Sequence, residues 1–225
     1  ADLEARRAFA VELEAPLRQT GGMSADEVAI LRIELDEIEP LIWRRVAVRA
    51  SSSLHALHRI IQVTMGWLDY HLWEFDIDGV TYGLPDPESL DWGREVKPAS
   101  RTKLAKVLNS GLDQFSYTYD MGDNWLHRIV VERIEPTHPG EPYPCFFGGA
   151  RRCPPEDCGS VPGYYDFIDA ISAPDSGRGS RKKREMLAWY GRPYDPNDIG
   201  EHRIKDELAR MVYRPRRRQA SNSQP

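Results

Sequence analysis

Phe115, Tyr117 and Tyr119 alternate with Gln114, Ser116 and Thr118, the run breaks at Asp120, Met121, Gly122, Asp123 and Asn124, and Trp125 to Ile134 returns. Side chains on a strand alternate between faces. Tyr117 and Tyr119 therefore share one face, and Trp125, His127, Ile129 and Val131 share one on the return strand. A hairpin so aromatic on one face has to be covered by a second layer.

Leu31, Ile33 and Leu35 alternate with polar residues, a turn follows near Glu39 and Pro40, and Ile42 to Val48 predicts the antiparallel partner. Ser51 to Ser53 offer an N-cap to a helix that lines up Leu54, Leu57, Ile60, Ile61, Thr64 and Met65 on one face. That helix should pack on the sheet. His71 to Asp78 and Val80 to Tyr82 flank Asp78-Gly79, a tight hairpin signal. Residues 84 to 98 read as a loop, and a short helix is expected near Leu104 to Leu108.

Residues 135 to 163 hold seven of the seventeen prolines and read as one long loop. Helices are expected at Tyr164 to Ser172, Arg181 to Trp189 and Glu201 to Met211. Ahead of the sheet, Leu3, Phe9, Leu13 and Leu17 make residues 1 to 19 an amphipathic helix ending at Gly21-Gly22. The expected organisation is a helical appendage over 1 to 30, one α+β domain over 31 to 212 and a basic, disordered tail over 213 to 225. In that domain an antiparallel sheet of hairpins carries packed helices and ends in a helical arm.

Mean hydropathy is −0.57 and no apolar run approaches the ~18 residues of a membrane span. The charged N-terminus lacks the order of a secretion signal, so a cytoplasmic location is expected. Clustered thiols in that compartment point to metal or to thiols before disulfides. The net charge of −5 divides unevenly: residues 178 to 225 carry 13 Lys and Arg against 6 Asp and Glu. Two dense patches, Arg178 with Arg181, Lys182, Lys183 and Arg184, and then Arg214, Arg216, Arg217 and Arg218, are candidates for phosphate contact or for docking on the acidic body.

All three cysteines, Cys145, Cys153 and Cys158, fall within the proline-rich segment. Zinc takes four tetrahedral ligands, so three thiolates require a fourth, for which His127, His138 and Asp157 are candidates. Buried thiols fixing the loop, or one disulfide, are the other readings. Asp120 and Asp123 bracket the hairpin turn near His127, a set suited to proton transfer or to a divalent cation, although local backbone bonding alone also selects Asp at a turn. His55, His58 and His71 form a looser group assigned to packing or surface. No P-loop, nucleophile elbow or dinucleotide-binding glycine pattern occurs.

Several runs together carry a family resemblance. They are Pro40 to Arg45, Leu57-His58 through Ile61-Gln62 to Met65-Gly66-Trp67, His71-Leu72 with Phe75, and Tyr117 through Tyr119, Asp120, Gly122, Asp123 and Trp125 to His127. Cys153 to Gly159 and Trp189 to Pro196 complete the set. From about Leu31 to Pro196 the chain resembles the plasmid pRiA4b ORF-3-like family, some of whose members are passengers of mobile elements. The resemblance implies a single α+β domain. It carries no recombinase chemistry here, because no serine or tyrosine nucleophile set with supporting arginines is present. Trp73 stands where many members have a second histidine, Met121 replaces a usual Phe, and Ser160 a usual Gly.

The leading expectation is a mobile-element accessory protein that binds a protein or nucleic-acid partner, with the cysteine loop as a clamp, a candidate zinc site. The alternative is a metal-dependent enzyme gathering Asp120, Asp123, His127, Glu156 and Asp157 between the hairpin and the cysteine loop.

Overall fold

The computed structural model describes residues 24, 26–85, 95–177 and 179–212. The hairpin signals resolve into a single eight-stranded sheet. Its strands are β1 (Glu27–Leu35), β2 (Ile42–Arg49), β3 (Trp73–Ile77), β4 (Val80–Gly83), β5 (Lys97–Pro98), β6 (Gln114–Tyr119), β7 (Trp125–Pro136) and β8 (Cys145–Ala150). They lie in the order β5-β4-β3-β6-β7-β1-β2-β8, and only β4 and β5 pair in parallel. The helices are α1 (Leu54–Met65), α2 (Leu104–Leu108), α3 (Ser160–Ser172), α4 (Gly179–Tyr190) and α5 (Glu201–Val212). The molecule is an α+β domain, as expected. No helix among the described residues is long and apolar enough to cross a membrane.

One sheet face makes the main core. Leu31, Ile33, Phe75, Tyr117, Trp125 and Ile129 meet Leu57 and Ile61 of α1, Leu104 of α2, Tyr164 and Phe167 of α3, and Ile204 and Leu208 of α5. Burying this apolar area is the main force holding helices to sheet. Helix α1 starts where Ser53 accepts a hydrogen bond from the Ala56 amide, and it stops at Gly66, whose φ of 93° suits a left-handed cap. The opposite face is largely ionic. Arg45 pairs with Glu132 at 2.7 Å and Arg128 with Glu34 at 2.6 Å, and Trp43 lies under the guanidinium groups of Arg32 and Arg45.

Arg44 points into the core instead and is fully buried. Its Nε donates to the Thr64 carbonyl and its Nη1 to the carbonyls of Trp43 and Ala150, at 2.8, 2.8 and 3.0 Å. It latches the end of α1 to β2 and β8. The close packing explains a glycine: a Cβ at Gly149 would lie 2.6 Å from the Trp43 carbonyl oxygen and 2.8 Å from Arg44 Cδ.

Three expectations need correction. The first strand begins at Glu27, not Leu31, because Val28 and Ile30 are buried on the second face with Ala47 and Tyr143. Burial on both faces hides the alternation there. The loop over 135 to 163 contains strand β8 and the start of α3, and the loop over 84 to 98 ends in β5. Glycine-rich and proline-bounded, β8 (sequence CFFGGA) has no two-residue period to read. The expected N-terminal helix, Arg178 and the tail with Arg214, Arg216, Arg217 and Arg218 lie outside the described residues.

Candidate metal centre

The C-cap at Gly66 turns the chain from α1 into residues 67 to 72, which run across the end of the sheet before β3. Trp67 anchors this segment, stacked on Tyr119 with ring centroids 4.9 Å apart and donating from Nε1 to the Pro154 carbonyl at 3.2 Å. Asp69 is held by His58 of α1, whose Nε2–H donates to Asp69 Oδ1 at 2.7 Å. The following turn presents His71 beside the end of β6. Because Trp73 pairs with Tyr119, and the Asp120 amide donates to the Leu72 carbonyl at 2.9 Å, His71 and Asp120 become neighbours.

Asp120 closes the hairpin. Its Oδ1 accepts from the amides of Gly122 and Asp123 at 2.9 and 3.2 Å, and Oδ2 faces His71. Asp123 bridges to the cysteine loop, its Oδ2 accepting from the Gly159 amide at 3.1 Å. From that loop come Glu156 and Asp157. Glu156 Oε1 accepts from the Leu68 amide at 2.7 Å and from the Tyr119 hydroxyl at 3.2 Å. Asp69, Asp120, Asn124 and Asp157 all have φ between 55° and 61°, a region Asp and Asn tolerate better than most side chains.

The result is one imidazole nitrogen inside a ring of carboxylates. His71 Nε2 lies 3.2 Å from Asp157 Oδ1, 3.7 Å from Asp120 Oδ2 and 3.7 Å from Glu156 Oε2. It is buried, yet makes no hydrogen bond of acceptable direction, even to the nearest oxygen. Among the described residues, the ligand atoms of His71, Asp120 and Asp157 are the group that lies within 4.8 Å of one another. Ligands ~2.1 Å from a tetrahedral cation sit about 3.4 Å apart, and the separations about Nε2 bracket that value. One nitrogen and several carboxylate oxygens suit zinc, manganese or ferrous iron better than a soft metal.

Burial is the leading cause that pushes the Glu156 carboxyl above its usual range, partly offset by the Leu68 amide, the Tyr119 hydroxyl and His71. The Tyr119 hydroxyl is likewise raised by burial first and by the Glu156 charge second. A carboxyl with raised basicity is the form a general base takes. Leu68, Tyr70 and Leu72, on the segment that carries His71, are exposed.

The structure gathers Asp120, Glu156 and Asp157, and ties the Asp123 carboxylate to the Gly159 amide of the loop. It does not bring His127 to them. His127 is fully buried on β7 beside Tyr117, its Nδ1–H donating to the Tyr117 carbonyl at 3.2 Å, and burial lowers its pKa to about 4. The face it shares with Ile129 and Val131 is the core face.

The cysteines do not form a ligand set either. Cys153 is buried, its thiol 3.2 Å from Met65 Sδ and raised by burial to about 11. Cys158 packs at the edge of the main core, raised by burial to about 12, whereas Cys145 opens β8 and packs with the cluster on the second face. Two thiols thus pack with the main core and the third with the second face. The residue missed was His71. Its signal lay in the β3–β6 pairing, which sets it next to Asp120 although 49 positions separate them.

Comparison with known proteins agrees with this architecture. A sequence profile described as plasmid pRiA4b ORF-3-like protein matches residues 27–202, starting where β1 starts. An uncharacterized protein, y4hQ, of Sinorhizobium fredii is 38% identical over 165 residues, covering 73% of this chain and 81% of the relative. The crystal structure of MM3350 from Methanosarcina mazei Go1, a protein of unknown function, superposes with a TM-score of 0.69 at 29% identity, over 79% of this chain and 97% of that one.

Proposed function

The chain belongs to the plasmid pRiA4b ORF-3-like family, and we propose that it is a divalent-metal protein in which His71, Asp120 and Asp157 hold the cation. With a cation held there, Glu156 would be placed to act as general base, and the cation would supply the Lewis acidity of metal-assisted hydrolysis. The observation that carries this reading is the buried His71 Nε2, aimed at no single oxygen while carboxylates stand 3.2 to 3.7 Å away. An imidazolium holding an ordinary ion pair would direct its N–H at one partner. A nitrogen lone pair directed between the oxygens is what a ligand set requires.

The test is titration of chelator-treated protein with Co(II), read by its visible absorption. Binding should disappear in His71→Ala and Asp120→Asn and persist in Cys153→Ser. A thiolate charge-transfer band lost in Cys153→Ser would instead restore the cysteines as ligands and sink this assignment. Glu156→Gln should keep the metal and lose turnover on a panel of ester and phosphoester substrates.

A second reading, an accessory role for a mobile element through a nucleic-acid partner, is favoured by α4. That helix buries none of its residues and displays Arg181, Lys182 and Arg184. Retention on DNA or RNA that falls with salt and is lost in Arg181→Glu/Arg184→Glu supports it. Retention unchanged by those substitutions removes it. A cytoplasmic location belongs to the same reading.

A further inference from the structure

A cleft of about 610 Å³ opens at the β8 edge of the sheet, walled by Pro139, Tyr143, Pro144 and Phe147 on one side and by Leu208 and Ala209 of α5 on the other. Its lining is mostly apolar, and a pocket of this size suits a short run of side chains. Glu135 and His138 also line it. The N-terminal part of the chain enters the fold beside those two residues. Val28 pairs with Glu135, Glu27 with Pro136, and the Thr137 amide donates to the Asp26 carbonyl at 2.8 Å.

The residues ahead of that entry carry Leu3, Phe9, Leu13 and Leu17 at helical spacing, followed by Gly21-Gly22. Such a stripe needs an apolar surface to cover it. A helix over residues 1 to 19 would span about 28 Å, and the linking residues 20 to 23 reach roughly 13 Å when extended. The end of such a helix nearest the link, with Leu13 and Leu17, would therefore be within reach of the cleft. We propose that residues 1 to 19 dock in this cleft of their own chain, with Leu13 and Leu17 seated between the 139–147 segment and α5.

Cys145 lines the cleft and reports on its occupancy, whereas Cys153 is buried in the main core. In the 225-residue chain, Leu13→Asp/Leu17→Asp should raise the alkylation rate at Cys145 by at least about tenfold and leave Cys153 unchanged. Equal rates at Cys145 overturn the proposal. In the unaltered chain the amides of residues 9 to 17 should exchange slowly with deuterium, and full exchange within the mixing time overturns it whatever the variants do. If removing residues 213 to 225 raises the Cys145 rate and the aspartate pair does not, the basic tail is the occupant and the proposal fails. If slow exchange appears only at concentrations where the protein is dimeric, the helix docks on a second copy and the docking in cis is wrong.

Discussion

His58 lies flat on Trp73, ring centroids 3.8 Å apart and planes 10° from parallel. The same imidazole accepts from the Tyr117 hydroxyl at Nδ1, 2.8 Å away, and donates to Asp69 from Nε2. A buried helix residue thus fixes the segment that ends in His71, so protonation of the core and order at the candidate centre are linked.

That linkage predicts a pH dependence of stability. Burial, the leading cause, lowers both His58 and His127 from 6.5 to about 4. The unfolded chain then binds more protons than the folded one between those values, so stability is full above about 6.5 and falls as the pH drops towards 4. Each histidine contributes on the order of 3 kcal/mol over that window. Glu156, raised in the fold, opposes this in part, because its contribution is lost as the pH rises through its folded value. Urea midpoints measured from pH 7 to 4.5 should fall, and His127→Leu should flatten the slope. A flat wild-type profile would contradict the burial of both rings.

Cation binding by the native state alone raises stability by mass action, about 2.7 kcal/mol at a hundredfold excess over Kd. For a domain of this size that is roughly 5 to 10 °C in Tm. Zn(II) or Mn(II) should produce such a shift in wild type and in Cys158→Ser, and none in His71→Ala. An equal shift in His71→Ala would place the cation elsewhere.

Ser160 follows Gly159 at the start of α3 with φ of 64°. A side chain in that region costs roughly 1 to 2 kcal/mol, and glycine returns about 0.5 to 1 of it through unfolded-state entropy. Ser160→Gly should therefore stabilise by up to ~1 kcal/mol, seen as a higher urea midpoint at an unchanged m-value. A loss of stability would mean that the serine side chain is needed there.

Where the two-residue or helical period survives, the chain announces its elements. Strands β3, β6 and β7, helix α1 with its Ser53 cap, and helix α2 all stand where alternation and capping put them. The period fails where both faces are buried, as at Val28 and Ile30, or where glycine replaces side chains, as at Gly148 and Gly149 of β8. Asp120, Glu156 and Asp157 were recognisable because turn and loop carboxylates stand out from a hydrophobic pattern. His71 and His127 were exchanged in role. Local spacing put His127 near the aspartates, whereas strand pairing, which no local pattern reports, buried it and delivered His71.

Gly163 tests whether the cysteine loop positions the centre. It sits in the first turn of α3, its amide donating to the Gly159 carbonyl at 3.0 Å, and a Cβ there would lie 1.9 Å from the Cys158 carbonyl oxygen. No rotamer relieves a clash between Cβ and backbone, so Gly163→Ala must displace residues 153 to 159 from α3. Overpacking of this kind costs roughly 1 to 3 kcal/mol. Displacing that loop also shifts Glu156 and Asp157 relative to His71 and Asp120, which are carried by other elements. Gly163→Ala should therefore weaken Co(II) binding at least ~10-fold, a loss of about 1.4 kcal/mol, although residue 163 is not a ligand. Ala substitution at Gly111, where nothing lies within 4 Å of a new Cβ but φ is 80°, should cost stability without changing affinity. If Gly163→Ala destabilises the fold and leaves Co(II) affinity intact, Asp157 is not a ligand and the loop is only a clamp.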